Sequence, residues 1–348
     1  MRDNSGMRVL HAPTPCPDPI VTCRALTKIY GRGETAVRAL DAVDVDFARG
    51  QFTAIMGPSG SGKSTLMHCL AGLDTASGGT VVLDSTTITG MSERQLTKMR
   101  CDTIGFIFQD FNLIPTLTAR ENIELPAMIA RRPVSPERFD EIVDAVGIRD
   151  RLDHRPAEMS GGQQQRVACA RALAANPTVI FADEPTGNLD SHASRAVLSF
   201  LRRAVDDFGQ TVVMVTHDAN AASWTDRVLF LVDGRVVGEL TDTRRDTILD
   251  ALRDLGDDDS RDGNTDAATP PTIMDRAVPE HSAAVHTAPE LDLPTTTDEV
   301  VDRARSILDH LPGSVVPEDE APLTAQIPIV RDDMNGAEDG REEMDATK

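Results

Sequence analysis

The stretch Thr53-Ala-Ile-Met-Gly57-Pro-Ser-Gly-Ser-Gly62-Lys63-Ser-Thr-Leu-Met67 decides the fold. Residues 53–56 predict a buried strand, and residues 66–73 predict an apolar helix. The glycines between them let backbone N–H groups wrap a phosphate at the helix start. Lys63 is placed to neutralise β- and γ-phosphates, and the Ser64 hydroxyl to hold Mg²⁺. Gly57, Pro58, Ser59, Gly60, Ser61, Gly62, Lys63, Ser64 and Thr65 therefore form a candidate nucleotide cradle. Lysine is otherwise scarce, occurring only at 28, 63, 98 and 348, which sharpens the match.

Outward from this loop, strand and helix patterns alternate. Apolar runs at 179–182, 211–215 and 228–232 read as buried strands, with a helix over 191–208. Residues 80–108 read as strands around a helix at 93–100, ending in the apolar run 104–108. Alternating apolar residues over 20–52 predict short strands and turns. Residues 111–175 read as mostly helical, with breaks at Pro115, Pro126, Pro133, Pro136 and Pro156. This order predicts an α/β fold with a mostly parallel sheet covered on both faces.

Several polar residues fall at the ends of these predicted strands. Asp183 follows the run 179–182, where a carboxylate suits a Mg²⁺ partner beside a phosphate loop. Glu184 comes next and can orient or deprotonate an attacking water. An Asp-Glu pair by itself is commonly a solvated strand end. His217 ends the strand at 211–216 and can reach the γ-phosphate or that water, although a lone histidine is usually structural. Gln109 follows 104–108, and its amide oxygen is a Mg²⁺ ligand candidate. Tyr30, the single tyrosine, offers a face for adenine, against the alternative of a core aromatic. Ser160-Gly161-Gly162-Gln163 is a second glycine turn before an apolar helix, able to approach a phosphate or simply to start that helix.

Composition sets the outer bounds. The chain has 348 residues and a net charge of −21. Residues 256–348 hold 23 acidic and 7 basic residues, so the acidity belongs mostly to the C-terminal stretch. No basic patch argues for nucleic acid. Five dispersed cysteines fit a reducing compartment better than a disulfide framework. No apolar run reaches the roughly 18 residues of a membrane helix. The start lacks a basic-then-apolar signal pattern, so a cytoplasmic chain is expected. Residues 1–19 are expected to be a disordered lead. Residues 256–348 are expected to be a mostly disordered acidic tail. Within the tail, Thr296 and Glu299 resemble a capping box before a short amphipathic helix at 297–311, open to partner docking or to a purely solvated role.

Taken together, the ordered set Tyr30, Gly57–Thr65, Gln109, Ser160–Gln163, Asp183-Glu184, Asn188-Leu189-Asp190 and His217 resembles the ATP-binding-cassette (ABC) ATPases. The one small departure is Met159, where the family usually has Leu. The resemblance implies a P-loop NTPase domain over 20–250. Within it are a RecA-like core, an antiparallel β subdomain and a helical subdomain inserted at about 111–172. It implies ATP and Mg²⁺ as cofactors, Glu184, His217, Lys63 and Gln109 as catalytic groups, and Ser64, Gln109 and Asp183 at the metal. It also implies a head-to-tail homodimer in which Ser160–Gln163 serve the partner's ATP, with Asp190 a further nucleotide-binding residue.

The stretches 111–123 and 184–191 resemble the branch serving macrolide export, lipoprotein release and FtsE-like division complexes. That branch implies a separate integral-membrane permease of the FtsX or MacB type and a peripheral position on the inner face of the membrane. An FtsE-like regulator of cell-wall machinery, and a soluble ABC ATPase acting on nucleic acid or ribosomes, are the rival readings.

Overall fold

The structure is a computed structural model that describes residues 10–14, 16 and 18–258. Of the tail expected over 256–348, residues 259–348, with the expected helix at 297–311, lie outside the described residues, as do residues 1–9.

Two sheets organise the chain. The first is antiparallel, in the order β2 (Val37–Ala48), β1 (Pro19–Tyr30), β4 (Gly78–Leu83), β5 (Thr86–Thr87). The stretch expected to form short strands is thus two long ones, kept continuous by register shifts that absorb the irregularities along β1. The second sheet runs β10 (Arg235–Leu240), β9 (Arg227–Val232), β3 (Phe52–Met56), β8 (Thr211–Val215), β7 (Val179–Asp183), β6 (Ile104–Ile107). All its pairings are parallel except β10 on β9.

The period of two along these strands divides the interior. On β3, β7, β8 and β9, Ala54, Ile180, Val212 and Val228 face one core, and Ile55, Phe181, Val213 and Leu229 face the other. The first core is closed by helices α3 (Ala119–Ile129), α4 (Pro136–Val146), α5 (Gly161–Ala174) and α6 (Ser191–Asp206). The second is closed by α1 (Lys63–Leu70), α2 (Glu93–Thr103) and the antiparallel sheet. A short helix α7 (Ala219–Ala222) follows β8, and α8 (Arg245–Asp258) buries Ile248 and Ala251 in the first core. No sequence pattern predicts this last helix.

Two expectations are corrected. Pro126 does not break the chain into two helices: it lies inside α3. That helix is started by a full capping box between Thr118 and Glu121, and Ile123, Leu125 and Ala127 are buried before and after the proline. Residues 10–14 do not behave as an unattached lead. His11 pairs with Glu239 on the free edge of β10, and Thr14 Oγ1 donates to Glu239 Oε1 at 2.6 Å. Glu239 in turn accepts from Arg227 Nε at 2.7 Å, while Arg227 Nη1 donates to the Asp46 carbonyl. Both side chains of this pair are buried. It ties β9, β10, β2 and the N-terminal segment at one point.

Candidate active site

The loop between β3 and α1 takes its shape from two glycines. Gly57 has φ +154°, and a Cβ there would stand 1.9 Å from the Leu231 carbonyl oxygen. Gly62 has φ +98°, and its Cβ would stand 2.3 Å from the Ala39 carbonyl oxygen. No side chain fits at either position. Lys63 Nζ, buried in this loop, donates to the carbonyls of Gly57 at 3.0 Å and Pro58 at 2.6 Å. Burial pulls its pKa below the ordinary lysine range, and the nearby Glu184 and Asp183 carboxylates oppose that shift.

Parallel pairing brings the ends of β3, β7 and β8 to one edge, where ligands of open α/β sheets bind. Ser64 Oγ donates to Asp183 Oδ1 at 3.1 Å across that edge. Burial pushes the Asp183 carboxyl up, against the Ser64 hydrogen bond and the nearby His68 imidazole. Glu184 turns out of β7 with φ +44°, a conformation held by its N–H donating to the Val215 carbonyl. Its Oε1 lies 3.0 Å from His217 Nδ1. Lys63, Ser64, Asp183, Glu184 and His217 therefore meet in one place.

The other candidates lie around this cluster. Gln109 follows β6, and its amide packs on Gly187, where a Cβ would meet Nε2 at 2.9 Å. Asn188 Nδ2 donates to the Gln109 carbonyl at 3.3 Å and to Asp110 Oδ1 at 3.1 Å. Tyr30 is exposed, so the alternative of a core aromatic is not what the structure shows. Its hydroxyl donates to Asp74 Oδ2 at 2.6 Å, and Lys28 Nζ sits 4.8 Å from the ring centroid while also donating to Asp74. Asp190 caps α6, accepting from the N–H groups of His192 and Ala193.

Ser160 caps α5. Its hydroxyl accepts from the Gln163 N–H, and Gln163 Oε1 accepts from the Ser160 N–H at 2.9 Å. All these bonds stay within the turn itself. Gly161 faces the Phe111 ring, and Gly162 leaves only enough room for Ala193, which a Cβ would approach to 2.9 Å. The glycine pair thus lets the start of α5 press against α6 and the loop after Gln109.

Three contributors carried no signal in the sequence. Gln165, fully buried, donates to the Pro185 carbonyl at 2.8 Å and joins α5 to the segment after Glu184. Arg171 donates to the carbonyls of Phe111 and Asn112. Asp74 orients Tyr30. Their partners lie 20 to 60 residues away and are mostly backbone, which no local pattern reveals.

Comparison with known proteins places this geometry. The family model described as ABC transporter matches residues 40–187. An ABC transporter ATP-binding protein of Methanocaldococcus jannaschii is 46% identical over 220 residues, 63% of this chain and 98% of its own. The macrolide export ATP-binding/permease protein MacB of Brucella melitensis is 43% identical over 225 residues, 64% of this chain but only 35% of that longer protein. Among solved structures, the M. jannaschii cassette MJ0796, a dimer in a post-hydrolysis state bound to ADP and Pi, superposes with a TM-score of 0.60 at 43% identity. That match covers 64% of this chain and 98% of the cassette. The chain belongs to the ATP-binding subunits of ABC transporters and is an ATPase. Among the described residues, no helix is long and apolar enough to cross a membrane.

Proposed function

We propose that this chain hydrolyses ATP as the motor subunit of a transporter whose permease is a separate integral-membrane protein of the MacB or FtsX type. On this reading it sits peripherally on the inner face of the membrane. The observation that carries the reading is the convergence of Lys63, Ser64, Asp183, Glu184 and His217 on one sheet edge, with Ser64 bonded to Asp183 and Glu184 to His217.

In this proposal the N–H groups of residues 57–65 and Lys63 bind the phosphates, and Tyr30 stacks on adenine. The Ser64 hydroxyl, the Asp183 carboxylate and the Gln109 amide oxygen form a hard oxygen donor set, the kind Mg²⁺ prefers. Bound there, Mg²⁺ would neutralise charge on the β- and γ-phosphate oxygens. Glu184 Oε1 accepts a proton from the attacking water or holds it in line. His217, its ring held by Glu184, hydrogen-bonds the γ-phosphate or the attacking water. Ser160–Gln163 and Asp190 close over the ATP of a second copy, so two chains arranged head to tail make two sites. That arrangement is supported by Ser160–Gln163 bonding only within its own turn and by the dimeric cassette that the fold matches.

The test is steady-state hydrolysis by the full-length chain with ATP and Mg²⁺, repeated with EDTA and with Ser64→Ala. Turnover that needs Mg²⁺ and falls at least about 100-fold in the variant is the expected result. Capture of the chain from solubilised native membranes should recover an integral-membrane partner. Recovery of RNA or DNA instead would overturn the transporter assignment.

A further inference from the structure

The loop after Gln109 is strained at two successive residues. Phe111 has φ +61° and Asn112 has φ +47°, in the left-handed region that residues with a side chain beyond hydrogen enter at a cost. The turn is tight as well, since the Asn112 N–H donates to the Asp110 carbonyl at 2.6 Å. Such a conformation persists only where its surroundings hold it.

The hold is visible. The segment between β6 and α3 is pinned by three side chains from three directions. Asn188 grips the carbonyl of Gln109 and the carboxylate of Asp110. Asn122, fully buried, bonds both the N–H and the carbonyl of Ile114. Between them, at the strained pair itself, Arg171 Nη1 donates to the Asn112 carbonyl at 2.5 Å and Nη2 to the Phe111 carbonyl at 2.9 Å. A guanidinium presents these two donors in one rigid fork, which a lysine cannot reproduce. Burial pulls the Arg171 pKa down to about 10, which leaves it charged at neutral pH.

Arg171 also belongs to the helix that Ser160 starts, and the Phe111 ring lies against Gly161 at that helix's first turn. One rigid element therefore touches the strained turn at both ends: its N-terminus through the Phe111 ring and its C-terminal half through the guanidinium. A shift of α5 cannot leave the turn, or Gln109 two residues before Phe111, where it was.

We propose that Arg171 is a positioning residue for hydrolysis: its fork holds the left-handed turn at Phe111 and Asn112 that sets Gln109 at the nucleotide, and it makes that setting follow the position of α5. This rests on the reading of Gln109 and Glu184 given above. Arg171 bonds the backbone of the turn and not the side chains of Lys63, Ser64, Asp183, Glu184 or His217, so its loss slows turnover without weakening ATP binding.

The experiment uses the full-length chain and the variants Arg171→Met, Arg171→Lys and Arg171→Met with Asn112→Gly. Two quantities are read: amide exchange over 109–114 without nucleotide, and kcat and KM for ATP. In Arg171→Met, exchange over 109–114 should rise about tenfold or more, with α5 and β7 as protected as in the parent. Its kcat should fall about tenfold, with KM within about twofold. Arg171→Lys should lie between. Adding Asn112→Gly, which removes the left-handed penalty at 112 while leaving Phe111 and its ring in place, should recover about a third or more of the lost kcat. Unchanged exchange over 109–114, or a kcat within twofold of the parent, overturns the proposal. So does a loss accompanied by general loosening of α5 that Asn112→Gly fails to rescue. A parent chain that does not hydrolyse ATP would sink the functional reading instead, while the exchange comparison still decides the role of Arg171 in the turn.

Discussion

Glu184 Oε1 lies 3.0 Å from His217 Nδ1, joining the ends of the adjacent strands β7 and β8. The contact holds the carboxylate at the sheet edge beside Ser64 and Asp183 rather than out in solvent. The backbone pays for this placement with a left-handed Glu184. A strained residue bearing a carboxylate next to a phosphate loop is where proton-transfer chemistry is expected.

Glu184→Gln removes the proton acceptor and keeps the shape. ATP hydrolysis should fall about 100-fold or more, in the range typical of a lost general base. ATP binding should persist, and gel filtration with ATP should show a dimer that the parent forms only transiently. Brisk turnover by this variant would move the chemistry to another residue.

The Ser160–Gln163 turn offers a test by complementation. Ser160→Ala should lose hydrolysis while binding nucleotide normally, at a helix-cap cost of about 1 kcal/mol in stability. Lys63→Ala should lose binding at its own loop. Mixed together, the two inactive chains should regain activity. A head-to-tail heterodimer pairs the intact loop of one with the intact Ser160 of the other. Mixtures that stay inactive while heterodimers form would argue for sites complete within one chain.

Asp190 gives a pH dependence. Its carboxylate accepts from two N–H groups at the start of α6, and these hold its pKa below the ordinary range. A depressed carboxylate stabilises the fold above its unfolded pKa, and the contribution vanishes as pH falls through the folded value. Asp190→Ala should therefore melt below the parent at neutral pH. The gap should close as the pH is lowered past the usual carboxylate range. A gap that does not change with pH would mean the cap acts without its charge.

The pair of Arg227 with Glu239 is buried on both sides. Arg227→Met leaves Glu239 with Thr14 alone and frees the Asp46 carbonyl, so urea unfolding should show a loss of about 3 kcal/mol. Arg227→Met combined with Glu239→Leu should recover much of it, because no buried charge is then left without a partner. If the single variant is neutral, the pair is not coupled as described.

The central strands were legible because burial on both faces demands unbroken apolar runs, as at 211–215, and β8 occupies those residues. The helix α2 was legible over its first turns, and its start is fixed by a capping box between Ser92 and Gln95. Pro126 misled because a missing N–H is a local cue, whereas the helix is held from outside, by Ile123 in the first core and by Leu125 against Leu117. α8 went unread because the acidic composition of its end obscured the buried positions Ile248 and Ala251. Within the site, residues fixed by loop chemistry stood out, as Gly57 and Lys63 did. Residues whose work is to hold another segment did not. Arg171 looks like any helical arginine until the carbonyls 60 residues upstream are seen in its fork.

The alternation along β3, β7, β8 and β9 leaves the two cores sharing a wall of backbone and little else. Phe181 and Ile180 are neighbours in the chain, yet one answers to α1 and β1 and the other to α5 and α6. The two apolar interiors can therefore drift in sequence separately, while what passes between the helical side and the nucleotide side is carried by polar ties such as the Arg171 fork on the loop after Gln109 and the Gln165 bond to Pro185.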